Sequence, residues 1–63
     1  MKYHPNYVEP GDYVKLNLCD DWYKITGKDG YYIDLVDNFG SPTGAHISDI
    51  EDLKLPSEMD YNF

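Results

Sequence analysis

A chain of 63 residues carrying twelve acidic residues against five lysines, with no arginine and a formal net charge of −7, is one small domain with a strongly negative field. Phosphate backbones are bound through Lys and Arg that release condensed counterions, so this balance argues against direct nucleic-acid binding and makes a basic partner the electrostatically sensible one. A single cysteine, Cys19, cannot form an intrachain disulfide, and His4 and His46 are too few and too far apart in sequence for a zinc site.

At this length a chain buries only about 60% of the surface its unfolded form exposes, so the apolar core must hold the fold without staples. No apolar run approaches the roughly 18 residues of a membrane span, and the opening MKYHPNYVEPGD lacks the hydrophobic stretch of a signal peptide. A soluble, reducing, cytoplasmic setting with no membrane association is therefore expected.

Pro10-Gly11-Asp12 is turn chemistry, with proline fixing one dihedral and glycine permitting a tight reversal. The run YVKLNL at residues 13–18 then alternates, placing Val14, Leu16 and Leu18 on one face and Tyr13, Lys15 and Asn17 on the other, as in a half-buried strand. Residues 19–21 read as a loop and WYKIT at 22–26 as a second strand rich in β-branched and aromatic residues. Asp29-Gly30 is a hairpin signal, so strands two and three are expected to be antiparallel neighbours. The third strand, residues 31–37, alternates Tyr31, Ile33 and Leu35 against Tyr32, Asp34 and Val36, and Asp34 marks the wet face. Residues 38–44 are turn-rich, and 45–47 give a short fourth strand. Ser48-Asp-Ile-Glu51 has the pattern of a capping box, predicting one helical or 3-10 turn through about Leu53. Residues 53–55 add a brief fifth strand that Pro56 stops, and 57–63 read as a loosely held acidic tail.

Gly11-Asp12-Tyr13-Val14 at the start, the Asp29-Gly30 hairpin, and the turn and closing strand in residues 47–55 together resemble the SH3-like small barrels, including KOW-type and Tudor-type versions, of the kind common in small phage and prophage proteins. The resemblance spans about residues 8–55 and implies an all-β fold: a small barrel of four to five antiparallel strands, with one short helical or 3-10 turn before the last. KOW-type barrels that bind nucleic acid carry basic loops, whereas this chain carries acidic ones, so that activity is not implied here. A phage origin would imply the host cytoplasm.

Catalysis finds little to build on. A hydrolase needs a nucleophile beside a positioned base, and the only sets available are Cys19 with His4 or His46 and serines without a nucleophile elbow. Cys19 reads as a small residue at a strand end, and His46 as a surface or acid-bonded side chain. No enzyme activity, cofactor or metal is expected, because the paired acids Asp20-Asp21, Asp34 with Asp37, and Asp49, Glu51 and Asp52 do not follow a calcium-loop pattern.

Aromatic residues exceed what so small a barrel can enclose, with seven tyrosines, two phenylalanines and Trp22. The period leaves Tyr13, Trp22 and Tyr32 off the aliphatic face, where they either anchor a partner or cover hairpin ends and the rim. Charge is also uneven: residues 1–32 carry a net −1 and residues 33–63 a net −6. Asp34, Asp37, Asp49, Glu51 and Asp52 lie in segments that a meander brings near one another. Such a row suits a protein that imitates a nucleic-acid backbone and inhibits or regulates a basic, nucleic-acid-handling protein. A second reading is a peptide-binding or assembly module driven by Trp22, Tyr13 and Tyr32. The plain alternative is that net charge keeps a small protein dispersed.

Overall fold

The computed structural model describes residues 3–58. Among these the chain forms five strands, β1 (Tyr13–Leu16), β2 (Trp22–Asp29), β3 (Tyr32–Val36), β4 (Pro42–His46) and β5 (Ile50–Lys54), with 3-10 turns at Pro5–Tyr7, Ile47–Asp49 and Pro56–Glu58 and no α-helix. The strands make one antiparallel sheet in the order β4-β3-β2-β1-β5. Strands β1 to β4 are neighbours in chain order, and β5 crosses over to pair with β1.

Pro10 and Gly11 launch β1 as a turn with proline second and glycine third. The Asp12 amide donates to the Glu9 carbonyl at 3.1 Å, and Gly11 takes φ +101°, a conformation glycine reaches without a Cβ penalty. The turn is fixed to β2, because the Gly11 amide donates to the Ile25 carbonyl and the Ile25 amide to the Asp12 carbonyl, both at 2.8 Å. The half-polar turn also explains why Asp12 is buried: its carboxylate accepts the Glu9 amide at 3.2 Å.

The β2–β3 hairpin is longer than expected. Asp29 is the last paired residue of β2, facing Tyr32, so the reversal is made by Gly30-Tyr31 and not by Asp29-Gly30. Gly30 has φ +63° while Tyr31 does not enter that region. Positive φ at the first central position alone is the pattern of a type II′ turn, whose twist suits antiparallel strands.

Other boundaries also shift. β4 begins at Pro42 rather than residue 45, because the Asp37 amide donates to the Ser41 carbonyl and lets Val36 pair with Pro42 at once. Proline is tolerated there as the first residue of an edge strand. β1 ends at Leu16, so the alternation through Leu18 does not continue as strand. The helical turn expected from Ser48 through Leu53 does not form, since Ile50 and Glu51 already belong to β5. The 3-10 turn starts instead at Ile47, where the His46 imidazole accepts the Ser48 amide. In the expected tail, the Leu55 amide donates to the Glu58 carboxylate at 2.9 Å, and the Glu58 amide closes the turn on the Leu55 carbonyl. Residues 59–63 lie outside the described residues.

The core is Val8, Val14, Ile25, Ile33, Leu35, Ile47 and Ile50, with Leu16, Tyr23, Ala45, Leu53 and Tyr3 packed around it. Alternation delivers Val14, Ile33 and Leu35 to one side of the sheet, and burial of each contributes about 1.5–3 kcal/mol. Two residues that break the ladder bend the sheet around these side chains: register shifts after Ile25 on the β3 side and between Lys15 and Leu16 on the β5 side. An extra residue on one strand increases local twist and curvature. Val8 comes from outside the strands. It is held by Lys28, whose ammonium donates to the carbonyls of Pro5 and Val8 at 2.9 Å each.

Candidate functional site

Register divides the predicted site residues among four places. Tyr13 and Trp22 share the outer face of β5-β1-β2 with Lys15, Lys24, Lys54 and Asp52: Tyr13 pairs with Lys24 on one side and Lys54 on the other, and Lys15 with Trp22 and Asp52. Three of the five lysines thus gather on this face. The Lys54 ammonium lies over the Trp22 ring, 5.0 Å from its centroid, a cation–π contact. Tyr13 corrects the sequence expectation. It points away from the aliphatic core yet is only 3% exposed. β1 is flanked on both sides, and long side chains on both neighbours leave a residue at its start little access to solvent. Trp22 is half-buried.

Glu51 and Asp52 stand at this face's edge, on β5. Glu51 forms an ion pair with Lys15 at 3.7 Å, and the Asp52 carboxylate accepts the Leu53 amide at 2.9 Å. Their charge is partly answered by lysine, and β5 is separated from β3 by two strands. Asp34 sits alone in the middle of β3, opposite Gly27 and Gly44. The five predicted acids therefore do not form one row.

Tyr32 lies at the opposite end of β3, 64% exposed, with His46 across the ladder. The His46 ring meets Tyr32 edge-on at 5.0 Å and stacks on Tyr31 at 6.1 Å with 10° between the planes. His46 bonds no acid. Its Nδ1 accepts the Ser48 amide at 3.1 Å and lies 2.8 Å from the Ser48 hydroxyl. His4 does the same for the Asn6 amide at 3.1 Å, so both histidines are capping residues.

The fourth place is the end of the sheet where β1 turns into β2 and β3 into β4. Antiparallel pairing of β2 with β3 sets the loops of residues 17–21 and 37–41 side by side, and the Asn17 amide donates to the Asp49 carbonyl at 2.8 Å, tying the last residue of the 3-10 turn to the first loop while the Ile47 amide holds its start to the Tyr31 carbonyl at 2.9 Å. Asp21 and Asp37 both act on Tyr23 here, Asp20 precedes Asp21 in the first loop, Asp49 is tied to that loop through Asn17, and neither loop contains a lysine. The Tyr23 phenol pKa is raised above the ordinary value, chiefly by desolvation and further by Cys19, Asp21 and Asp37. Asp37 also builds its own loop. One carboxylate oxygen accepts the amides of Phe39 and Ser41, each at 2.9 Å, an Asx-type turn.

Two apolar side chains project from this acidic end. Leu18 is fully exposed at 104% and Phe39 is 87% exposed. Leu18 also takes φ +65°, the only described non-glycine residue in the left-handed region, which costs about 1–2 kcal/mol for a residue with a Cβ. Sequence reasoning missed both. Leu18 was lost because alternation assigned it to a buried face, and Phe39 because it sits in a segment read only as turn. Asp20 and Asp21 read in the sequence as a pair weighed for a cation and not as partner-binding acids, because order along the chain does not show which loops the sheet brings together.

Among the described residues no three His, Cys, Asp or Glu side chains come together as metal ligands would, and no pocket is enclosed. No helix among them is long and apolar enough to cross a membrane. What the arrangement offers chemically is surface: charge, exposed rings and two apolar tips. Comparison with protein-family models, curated proteins and solved structures finds no match to this chain.

Proposed function

We propose that this chain is an SH3-like small barrel that acts as a protein-interaction module, binding a basic, nucleic-acid-handling protein as a phage-type inhibitor or regulator. The fold reading is supported by the meander β1 to β4, by the return of β5 to β1, and by the 3-10 turn just before β5. The functional reading is carried by one observation: Asp20, Asp21 and Asp37 lie in two adjacent lysine-free loops, with Asp49 tied to the first through Asn17, while Lys15, Lys24 and Lys54 lie on the sheet face. A separated negative pole attracts basic surfaces and speeds their encounter. The setting is the cytoplasm, that of the host if the chain is phage-encoded.

The test is a pull-down from the native host with the immobilised chain, eluted by a salt gradient. A basic partner released steeply as ionic strength rises supports the reading, as does failure of the combined Asp20, Asp21, Asp37 and Asp49 to Asn variant to retain it. Asparagine keeps the oxygen that accepts the Phe39 and Ser41 amides, so the Asp37 loop survives the change. A partner indifferent to salt overturns it.

A second reading, a peptide-binding or assembly module driven by aromatics, is favoured by the exposed Tyr31, Tyr32 and His46 ring group on β3–β4. Loss of binding in Tyr32→Ala with no salt dependence would select it.

A further inference from the structure

We propose that Leu18 and Phe39 are the apolar anchors of the acidic loop end, and that they receive a basic amphipathic segment of a partner protein. This rests on the acidic-surface reading above and gives it a contact geometry. The leucine or phenylalanine side chains of the segment pack on Leu18 and Phe39, and its lysines or arginines meet Asp20, Asp21, Asp37 and Asp49.

Three observations lead there. First, Leu18 carries two costs at once, a left-handed backbone and a fully hydrated side chain, and no contact among the described residues covers that side chain. Glycine or asparagine would satisfy the same turn more readily. Second, both tips are held in fixed loops. The Cys19 amide donates to the Leu16 carbonyl across the Leu18 turn, and the Asn17 amide is tied to Asp49. The Asp37 carboxylate and the Gly40 amide, which donates to the Asp37 carbonyl at 3.0 Å, do the same for Phe39. Preorganised loops lose little conformational entropy on binding. Third, the occupant follows from charge complementarity: apolar tips in loops that carry Asp20, Asp21 and Asp37 and no lysine, with Asp49 bonded to the first loop, repel acidic segments and leave a purely apolar one without partners for the acids.

The experiment uses the full chain and two fluorescent peptides of equal length, one alternating lysine with leucine and one of lysine alone. The alternating peptide is expected to bind roughly tenfold or more tightly than oligolysine, the equivalent of burying part of one large apolar side chain. Backbone amide shifts are expected to move in residues 17–21 and 37–41. Leu18→Gly and Phe39→Ser should each bring the alternating peptide down to the oligolysine level. Leu18→Gly should melt no lower than the parent, because glycine relieves the strained φ, which separates lost contact from lost fold.

Equal binding of the two peptides, no binding of either at low salt, or shifts centred on Tyr31 and Tyr32 would overturn the anchor. If salt abolishes binding but both variants behave as the parent, the anchor fails and the charge reading stands. If the variants lose binding and salt has no effect, the charge reading fails and the apolar contact stands.

Discussion

The Lys54 ammonium reaches across β1 to lie 5.0 Å above the centre of the Trp22 ring, joining the two strands that flank Tyr13. Trp22 is thereby engaged within the fold. Trp22→Ala is expected to destabilise the chain by about 2 kcal/mol, less than for a fully buried aromatic, and Lys54→Met by about 0.5–1 kcal/mol, the usual cation–π contribution at an accessible site. Urea denaturation measures both. A Trp22→Ala variant with unchanged midpoint would mean that the ring covers nothing.

Lys28 closes one end of the core by donating to Pro5 and Val8 carbonyls. Its removal leaves one part-buried acceptor without its charged donor, at a cost of about 1 kcal/mol after allowance for solvent. Lys28→Ala should therefore speed amide exchange in the segment around Val8 before it lowers global stability. Exchange rates that change uniformly across the sheet would contradict a local role.

His46 replaces the expected serine as the cap of the 3-10 turn. His46→Ala should cost about 1 kcal/mol, and His46→Asn should recover most of it, since asparagine is among the best side chains at such a position. Thermal melts of the two variants decide this. Equal loss in both would assign the effect to ring packing on Tyr31 and Tyr32 instead.

Tyr23 gives a pH dependence with a definite sign. Its phenol pKa is raised in the folded chain by desolvation and by Cys19, Asp21 and Asp37, so the folded state keeps a proton that the unfolded state releases. The corresponding stability is fully present below the unfolded tyrosine pKa of about 10 and is lost as pH rises from there through the higher folded value. Other tyrosines and lysines titrate in that range too, so the measurement is the difference between the parent and Tyr23→Phe. The variant should fall less steeply in stability above about pH 10.

Gly27 offers a packing test beside Asp34. A Cβ added there would stand 3.1 Å from an Asp34 carboxylate oxygen, the far end of a short, exposed side chain. Gly27→Ala should need only a small rotation of Asp34 and change stability by less than about 1 kcal/mol. A larger loss would show that Asp34 cannot move.

Much of the sheet was legible because alternation is a local property. Val14, Ile33 and Leu35 fall on the buried side as their spacing requires, and the glycine-centred hairpin lies within a residue of where Asp29-Gly30 pointed. Tyr13 was misread because period tells which way a side chain points and says nothing of how tall its cross-strand neighbours are. Leu18 was misread because the chain turns at Asn17 without a glycine, proline or asparagine in the left-handed position to announce it. The candidate site was legible only in part. Acids counted along the chain grouped Asp34 with Asp37, whereas the sheet separates them and sets Asp37 beside Asp21, sixteen residues away in the numbering.

The pairing of the last strand with the first has a bearing on how the molecule is born. Until Ile50–Lys54 arrives beside Tyr13–Leu16, β1 has an open flank and the core lacks Ile50. Long-range strand pairing is slow to close. The β1–β5 pair should therefore be the last to form, with the flank of β1 open to proteases until then.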